Sequence, residues 1–98
     1  MAKIVFTKEA FADFERVFDF YAPDDPALAR AQVVAIRDAI KILGHHPLIG
    51  RLVKQGLREL VISIGKTGFL ALYRYIPRRG QVSILRIRHQ RELDYPQL

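Results

Sequence analysis

The stretch that decides the fold runs from residue 57 to residue 87 and reads LRELVISIGKTGFLALYRYIPRRGQVSILRI. It contains three strand-length apolar runs, Leu57–Ile64, Phe69–Ile76 and Gln81–Ile87, separated by the glycine-bearing tetrapeptides 65–68 and 77–80. Runs rich in Ile, Val, Leu and Tyr that are spaced by short Gly and Pro turns are typical of β-strands joined by hairpins. The stretch therefore predicts a three-stranded antiparallel meander.

The turns also predict which side chains share a face. If each hairpin closes with a four-residue loop, Ile64 lies opposite Phe69 and Ile76 lies opposite Gln81. Because side chains alternate across a strand, the two faces follow by counting. One face, which we call the core face, then holds Leu60, Ile62, Ile64, Phe69, Ala71, Tyr73, Val82 and Ile84, with Arg58, Tyr75, Arg86 and Arg88 at its ends.

The opposite side of the sheet, which we call the second face, is predicted to be unusually apolar. Glu59 and Arg74 would pair across strands there. A solvated face of an antiparallel sheet is normally polar. We therefore expect either a partner-binding groove on this face or a register that differs by one residue from the one assumed. The residues of the predicted groove are Leu57, Val61, Leu70, Leu72, Leu85 and Ile87.

The first half of the chain predicts a short strand at Lys3–Thr7 followed by two helices. Thr7 is a suitable N-cap for the first helix. Its apolar stripe, at helical spacing, predicts core positions for Phe11, Phe14, Val17, Phe18 and Tyr21. The second helix is predicted to start with Asp25 as N-cap and Pro26 at the first helical position, and to end near Gly44. Its stripe comprises Ala29, Val33, Ile36, Ile40 and Leu43.

Together these elements predict one α+β domain over residues 1–98, with an N-terminal strand, a two-helix hairpin and the meander, and with the helices on the core face.

The 98 residues include no cysteine, which excludes disulfides and thiolate zinc sites. No apolar run approaches a membrane span and no signal-peptide pattern begins the chain, so we expect a cytoplasmic protein. Adjacent His45 and His46 predict a helix end and not a metal site, and no cofactor motif is recognisable.

The positive charge of the chain is concentrated in the meander half. Residues 1–50 carry six basic and seven acidic side chains, a balance of −1, and residues 51–98 carry ten basic and three acidic side chains, a balance of +7. The sum is the net charge of +6. An anionic partner is therefore expected to meet the sheet and its C-terminal end. Nucleic acid and an acidic protein segment both satisfy this expectation.

Four short motifs follow one another along the chain: Gly50-Arg51, Arg58-Glu59-Leu60, Tyr73-Arg74-Tyr75 and the segment from Ile84 to Arg91. In this order they resemble the RelE/ParE toxin superfamily of bacterial type II toxin–antitoxin modules, and most closely its ParE-like branch. The resemblance extends over nearly the whole chain. The resemblance implies a small toxin held inactive by a cognate, ParD-like antitoxin from the same operon. An antitoxin segment that folds on binding would suit the apolar second face.

The superfamily implies two alternative activities. RelE-like members cut messenger RNA on the ribosome, whereas ParE-like members with an assigned target inhibit DNA gyrase. The RelE-like members place basic residues at positions that align with Val61, Ser63 and Leu70 here. These three side chains can neither donate a proton to a leaving oxygen at neutral pH nor neutralise a phosphate. We therefore expect a gyrase inhibitor that acts by binding, with the ribosome-dependent endoribonuclease as the alternative.

If the chain is a nuclease, the candidate catalytic residues are His89, Arg91 and Tyr95 near the C-terminus. Glu92 departs from a second basic residue that is common in ParE-like chains. A third possibility, from another class, is a nucleic-acid-binding or repressor accessory domain, which requires salt-sensitive DNA binding by the isolated chain. The basic surface expected to meet the target comprises Arg58, Arg74, Arg86, Arg88 and Arg91.

Overall fold

The computed structural model describes residues 1–92 and 95. The strands form one sheet in the order β1-β5-β4-β3-β2, and the two helices pack on one face of it. The predicted α+β architecture is therefore confirmed. No helix in the described part of the chain is long and apolar enough to cross a bilayer. The elements are β1 (Lys3–Phe6), α1 (Lys8–Tyr21), α2 (Pro26–Ile40), β2 (Arg51–Leu52), β3 (Arg58–Ile64), β4 (Thr67–Ile76) and β5 (Gln81–His89).

Both helices begin where the capping residues predict. The Thr7 hydroxyl accepts a hydrogen bond of 3.1 Å from the Ala10 amide. The Asp25 carboxylate accepts one of 3.1 Å from the Leu28 amide, and Pro26 follows it in the first turn. Each cap satisfies an amide that has no partner within the helix. Helix α2 ends at Ile40 and continues as a 3₁₀ turn over Lys41–Gly44, so the α-helical part is slightly shorter than predicted.

The predicted apolar stripe is confirmed for α2 and is partly wrong for α1. In the α2 stripe, Ala29, Ile36 and Ile40 are fully buried. In α1 the buried line consists of Ala10, Asp13 and Val17. Phe11 is 57% exposed and lies at the margin, where its ring is 5.8 Å from that of Phe6. A small residue and a carboxylate, neither of them in the predicted stripe, are thus buried more deeply than the aromatic ring at position 11.

The two hairpins of the meander close differently. At the second, Ile76 lies opposite Gln81 as predicted, with Gly80 at a φ of +56°. At the first, Ile64 lies opposite Thr67, because only two residues form the turn. Gly65 there has a φ of +58°, a conformation that two-residue hairpin turns favour. The register of β3 against β4 therefore differs by two residues from the prediction, which changes the partners but keeps each side chain on its predicted face.

Strand β5 contains a bulge that the sequence did not predict. Tyr73 on β4 lies opposite Ile84, whereas the preceding Leu72 lies opposite Arg86. Leu85 is therefore the extra residue, without a counterpart on β4. One extra residue reverses the alternation of side chains along the rest of the strand.

The bulge overturns three predicted positions. Ile87 lies opposite Ala71 and is fully buried in the core, so the prediction that it faces the groove is wrong. Arg86 and Arg88 were predicted at the ends of the core face. They instead occupy register positions opposite Leu72 and Leu70, which are second-face residues. The groove thus loses an aliphatic side chain, and the face gains two guanidinium-bearing positions.

Two further strands complete the sheet. Strand β1 runs parallel to the first half of β5, from Lys3 beside Gln81 to Phe6 beside Ile84, as the predicted N-terminal strand required. Strand β2 was not predicted, because two residues are too few to show an alternating pattern. It pairs with β3 and places Arg51 opposite Glu59.

Helix α1 closes the part of the β5 edge that β1 does not reach. The Asp13 carboxylate accepts hydrogen bonds from the Ile87 amide at 2.7 Å and from the Arg86 guanidinium at 2.9 and 3.0 Å. Arg16 donates to the Ile87 carbonyl at 2.9 Å. Asp13 is only 2% exposed, and its hydrogen bonds raise the pKa of Arg86 above the usual value. Side chains of the helix thus satisfy an edge that would otherwise be free to pair with another strand.

Tyr73 attaches the loop before β2 to the core. Its ring is fully buried, and its hydroxyl accepts a hydrogen bond from the Gly50 amide at 2.9 Å and donates one to the Pro47 carbonyl at 2.7 Å. A Cβ at Gly50 would lie 2.6 Å from the ring, so this close approach requires glycine. Burial raises the pKa of Tyr73, and the phenol stays protonated as a donor.

Substitution of Tyr73 by phenylalanine is expected to lower the free energy of unfolding by about 1–3 kcal/mol, because a buried amide and a carbonyl lose their partner. Urea unfolding followed by circular dichroism measures the change. Tyr75→Phe is the control, since Tyr75 is half-buried and its hydroxyl forms no hydrogen bond within residues 1–92 and 95. Equal stability losses in the two variants would contradict the prediction.

Candidate functional site

The second face lies opposite the helices, and part of it remains open to solvent. Val61 is 50% exposed, whereas Leu57, Leu72 and Leu85 are half-buried. Leu70, which lies opposite Val61, is only 3% exposed. The predicted groove is therefore an apolar surface that is open along β3 and partly covered over β4.

Tyr95 is one of the residues that cover this face. Its hydroxyl donates a hydrogen bond of 2.7 Å to the Glu59 carboxylate, and the Arg88 guanidinium lies 5.0 Å from the centre of its ring. Since Glu59 belongs to β3 and Arg88 to β5, the tyrosine spans β4 between them. The aliphatic residues at this point are thus sheltered by the protein itself, and Val61 is the most exposed of the predicted groove residues within residues 1–92 and 95.

Glu59 is the centre of a polar cluster on the second face. It is 5% exposed and accepts hydrogen bonds from Arg51 at 2.5 and 3.0 Å as well as from Tyr95. The predicted pair of Glu59 with Arg74 is wrong. The two-residue hairpin puts Leu72 opposite Glu59, and the unpredicted strand β2 brings Arg51 to its other side.

The cluster lowers the pKa of Glu59. Burial raises this pKa, but the hydrogen bonds from Tyr95 and Arg51, together with the charges of Arg51 and Arg88, outweigh burial. The pKa of Tyr95 is shifted upwards, first by burial and then by its bond to the Glu59 carboxylate. Glu59 is therefore held as an ionised acceptor and Tyr95 as a neutral donor.

This arrangement predicts an acid-sensitive contribution to stability. The folded pKa of Glu59 lies below the unfolded value of 4.5, so the contribution is present above that pH and is lost as the pH falls through the folded pKa. Unfolding free energies of the unchanged chain and of Glu59→Gln, measured between about pH 3 and about pH 7, are expected to converge as the pH falls. Tyr95→Phe is expected to reduce the same dependence in part. Parallel curves for the unchanged chain and Glu59→Gln would contradict the assignment.

His89 and Arg91 lie on the other side of the sheet, in a cleft of about 1050 Å³ that we call the His89 cleft. It is bounded by the C-terminal half of α1, the turn between β3 and β4, and the end of β5. The His89 ring meets the Phe69 ring edge to face at 5.2 Å, and its Nδ1 accepts a hydrogen bond of 3.1 Å from the Arg91 amide. The lining residues include Arg16, Val17, Phe20, Lys66, Phe69, His89 and Arg91.

The three predicted catalytic candidates are therefore not brought together. His89 and Arg91 line the His89 cleft, whereas Tyr95 bonds to residues of the second face. Glu92 folds back onto this end of β5, since its carboxylate accepts from the His89 amide at 2.8 Å and from Arg16 at 2.7 Å. A carboxylate engaged in this way orders the turn after β5.

The residues of the predicted basic surface have different roles. Arg58 donates to the carbonyls of Leu48 and Gly50, and Arg86 is held by Asp13, so both bond to the protein itself. Arg88 is half-buried beneath Tyr95 and also donates to the Glu92 carbonyl. Arg74 and Arg91 are exposed and remain accessible to a partner.

Sequence reasoning missed Arg51, Arg16 and Lys66 as site residues. Arg51 belongs to a two-residue strand, and Arg16 lies 76 positions before the Glu92 carboxylate that it contacts. No local spacing marks such pairs. Among residues 1–92 and 95 no group of three or more His, Asp or Glu side chains could hold a metal ion.

Comparison with known proteins identifies the family. The family model described as ParE toxin of type II toxin-antitoxin system, parDE, matches residues 4–94. The chain is 33% identical to Toxin RelE2 of Caulobacter vibrioides over 93 residues, which cover 95% of this chain and 100% of the relative.

Solved structures agree with this assignment. The chromosomal ParDE toxin–antitoxin system from P. aeruginosa matches with a TM-score of 0.74 and 26% identity, covering 91% of this chain and 96% of that one. The intact E. coli RelBE complex matches with a TM-score of 0.61 over 89% and 94%, and its 12% identity supports the fold alone. The resemblance seen in the sequence is confirmed, and the chain belongs to the ParE toxin family of type II toxin–antitoxin systems, within the RelE/ParE superfamily.

Proposed function

We propose that this toxin acts by binding DNA gyrase, without chemistry of its own, and that a cognate antitoxin neutralises it. The observation that carries the proposal is the pair of Val61 and Leu70, which lie directly opposite each other on β3 and β4, with Ser63 two residues along β3. Positions that hold basic residues in the RelE-like members hold two aliphatics and a hydroxyl here. A phosphate at this point would find no cation from these three residues.

The state of the neighbouring polar groups supports a binding role. The Glu59 carboxylate already accepts hydrogen bonds from Arg51 and Tyr95, and the Tyr95 hydroxyl uses its proton in that bond. A general base has to be free to accept a proton near neutral pH, and the pKa of Glu59 is shifted in the opposite direction. Contact with a macromolecular target does not require either group to titrate.

The antitoxin is proposed to bind the open part of the second face. The similar solved structures from P. aeruginosa and E. coli are described as a toxin–antitoxin system and as a toxin–antitoxin complex. Val61 offers an exposed apolar contact, and the exposed cations Arg51 and Arg74 lie on the same face of the sheet. An antitoxin segment with aliphatic anchors and flanking carboxylates complements this surface.

The gyrase proposal is tested with purified enzyme. Added in excess, the toxin is expected to inhibit ATP-dependent supercoiling of relaxed plasmid or to trap cleaved DNA, and premixing with the antitoxin is expected to restore activity. Messenger RNA in a translation extract should stay intact at the same toxin concentration. Normal supercoiling at a large excess of toxin would overturn the proposal.

The ribosome-dependent endoribonuclease remains a second candidate because of one observation. Arg51, Glu59, Arg88 and Tyr95 converge on the second face, and guanidinium, carboxylate and phenol are side chains that metal-free phosphodiester cleavage can use. This candidate predicts codon-positioned cuts in translated messages. If the cluster around Glu59 is the catalytic site, the cuts should be lost in Tyr95→Phe or Glu59→Gln. If the His89 cleft is the catalytic site, they should be lost in His89→Ala or Arg91→Ala.

A further inference from the structure

The His89 cleft has an aromatic lining that the proposed function does not use. The half-buried His89 ring forms its inner wall, backed by the fully buried Phe69, and Phe20 stands at its mouth, 71% exposed. The Phe20 ring meets Tyr21 edge to face at 4.9 Å. A phenylalanine left in water beside a cleft is a typical anchor of a protein contact, because burying it removes a large apolar area from solvent.

The rim of the cleft is positively charged. The Glu92 carboxylate is neutralised by Arg16 at 2.7 Å, so it does not offset the cations across the cleft. Lys66 and Arg91 are exposed, and neither forms an ion pair within residues 1–92 and 95. Asp19 is the acidic residue that remains on the helix side of the lining. The cations belong to the β3–β4 turn and the end of β5, so they border one side of the apolar floor.

We propose that the His89 cleft is a docking site for an acidic segment of a partner protein that carries one large apolar or aromatic anchor. The anchor would lie against Phe20 and the half-buried His89 ring, and its flanking carboxylates would face Lys66 and Arg91. Two exposed cations are few for a nucleic acid, whose affinity depends on many phosphate contacts, whereas they suit a short acidic peptide. The cleft lies on the helix side of the sheet, so it can be occupied while the antitoxin covers the second face.

The test uses a defined probe and the full chain. The hexapeptide acetyl-Asp-Glu-Leu-Phe-Asp-Glu-amide is titrated into ¹⁵N-labelled protein, and ¹H–¹⁵N spectra are recorded. Saturable shifts are expected at the amides of Phe20, Gly68 and Gln90, with a Kd below about 1 mM. Higher salt should weaken binding, because both cations are exposed.

Matched variants locate the contact. Phe20→Ala and the double variant Lys66→Glu with Arg91→Glu are each expected to weaken binding about tenfold or more. Phe11→Ala and Arg79→Glu are the controls, since Phe11 is an exposed phenylalanine of the same helix and Arg79 is an exposed cation in the turn at the other end of the sheet. Both controls should bind as the unchanged chain does.

Three outcomes would overturn the proposal. The first is equal binding of the charge-reversed peptide, with lysine in place of each acid, because charge would then play no part. The second is the absence of shifts at the His89 cleft at millimolar peptide, whether or not shifts occur on the second face. The third is tighter binding of an octamer of thymidylate than of the acidic peptide at the same residues, which would assign the cleft to single-stranded nucleic acid. The peptide titration involves neither gyrase nor RNA, so a negative result does not bear on the proposed gyrase inhibition. A negative gyrase assay likewise does not bear on the docking site in the His89 cleft.

Discussion

Replacing Asp13 by alanine is expected to lower the free energy of unfolding by about 3–5 kcal/mol, the largest loss of stability expected for any single substitution of this protein discussed above or below. The carboxylate is 2% exposed and accepts hydrogen bonds from the Ile87 amide and twice from Arg86. Its removal leaves a guanidinium that is mostly buried without its counter-ion, and an amide at the β5 edge without an acceptor. Both penalties act in the folded state only.

Urea unfolding measures this loss, and Asp19→Ala is the matched control. Asp19 is an exposed aspartate of the same helix, so its substitution should change stability by less than about 0.5 kcal/mol. A double variant of Asp13→Ala with Arg86→Met should recover part of the loss, because the stranded charge is then absent. If Asp13→Ala unfolds at the same urea concentration as Asp19→Ala, the Asp13 carboxylate does not anchor α1 to β5.

Replacing Val61 by aspartate is expected to weaken antitoxin binding by about 3 kcal/mol or more, which corresponds to at least about a 100-fold rise in Kd. Val61 is 50% exposed, so the free toxin should tolerate the substitution. In the proposed complex the carboxylate would be buried against aliphatic anchors without a partner. Leu70 is a poor choice for this test, since at 3% exposure its substitution would damage the fold itself.

Isothermal titration of toxin variants with the antitoxin measures the change in Kd. Val34→Asp is the control, because Val34 is a valine of similar exposure (46%) on helix α2, away from the second face. It should bind the antitoxin as the unchanged chain does. Unaltered affinity of a folded Val61→Asp variant would place the antitoxin on another surface, whereas equal losses in the two variants would indicate a general effect of the added charge.

The sequence by itself determined the architecture of this protein, because each element carries a local signal. Thr7, Asp25 and Pro26 mark where the helices begin, and the glycines at 65 and 80 mark the turns of the meander. The alternation of apolar residues was sufficient to assign β3 and β4 to their faces even though the first hairpin is shorter than predicted. A shift of two residues leaves side-chain orientation unchanged.

Only the tertiary structure decided two kinds of feature. One is the orientation of the β5 side chains after the inserted residue, and the other is the pairing of residues that are far apart in the chain. The bulge at Leu85 turns Ile87 into the core and brings Arg88 to the second face, and apolar alternation cannot reveal it because both registers look equally apolar. The pairing of Asp13 with Arg86 and the cluster of Arg51, Glu59 and Tyr95 join residues that are far apart in the chain. Their positions follow from how the helix and the strands pack, and no local spacing encodes that packing.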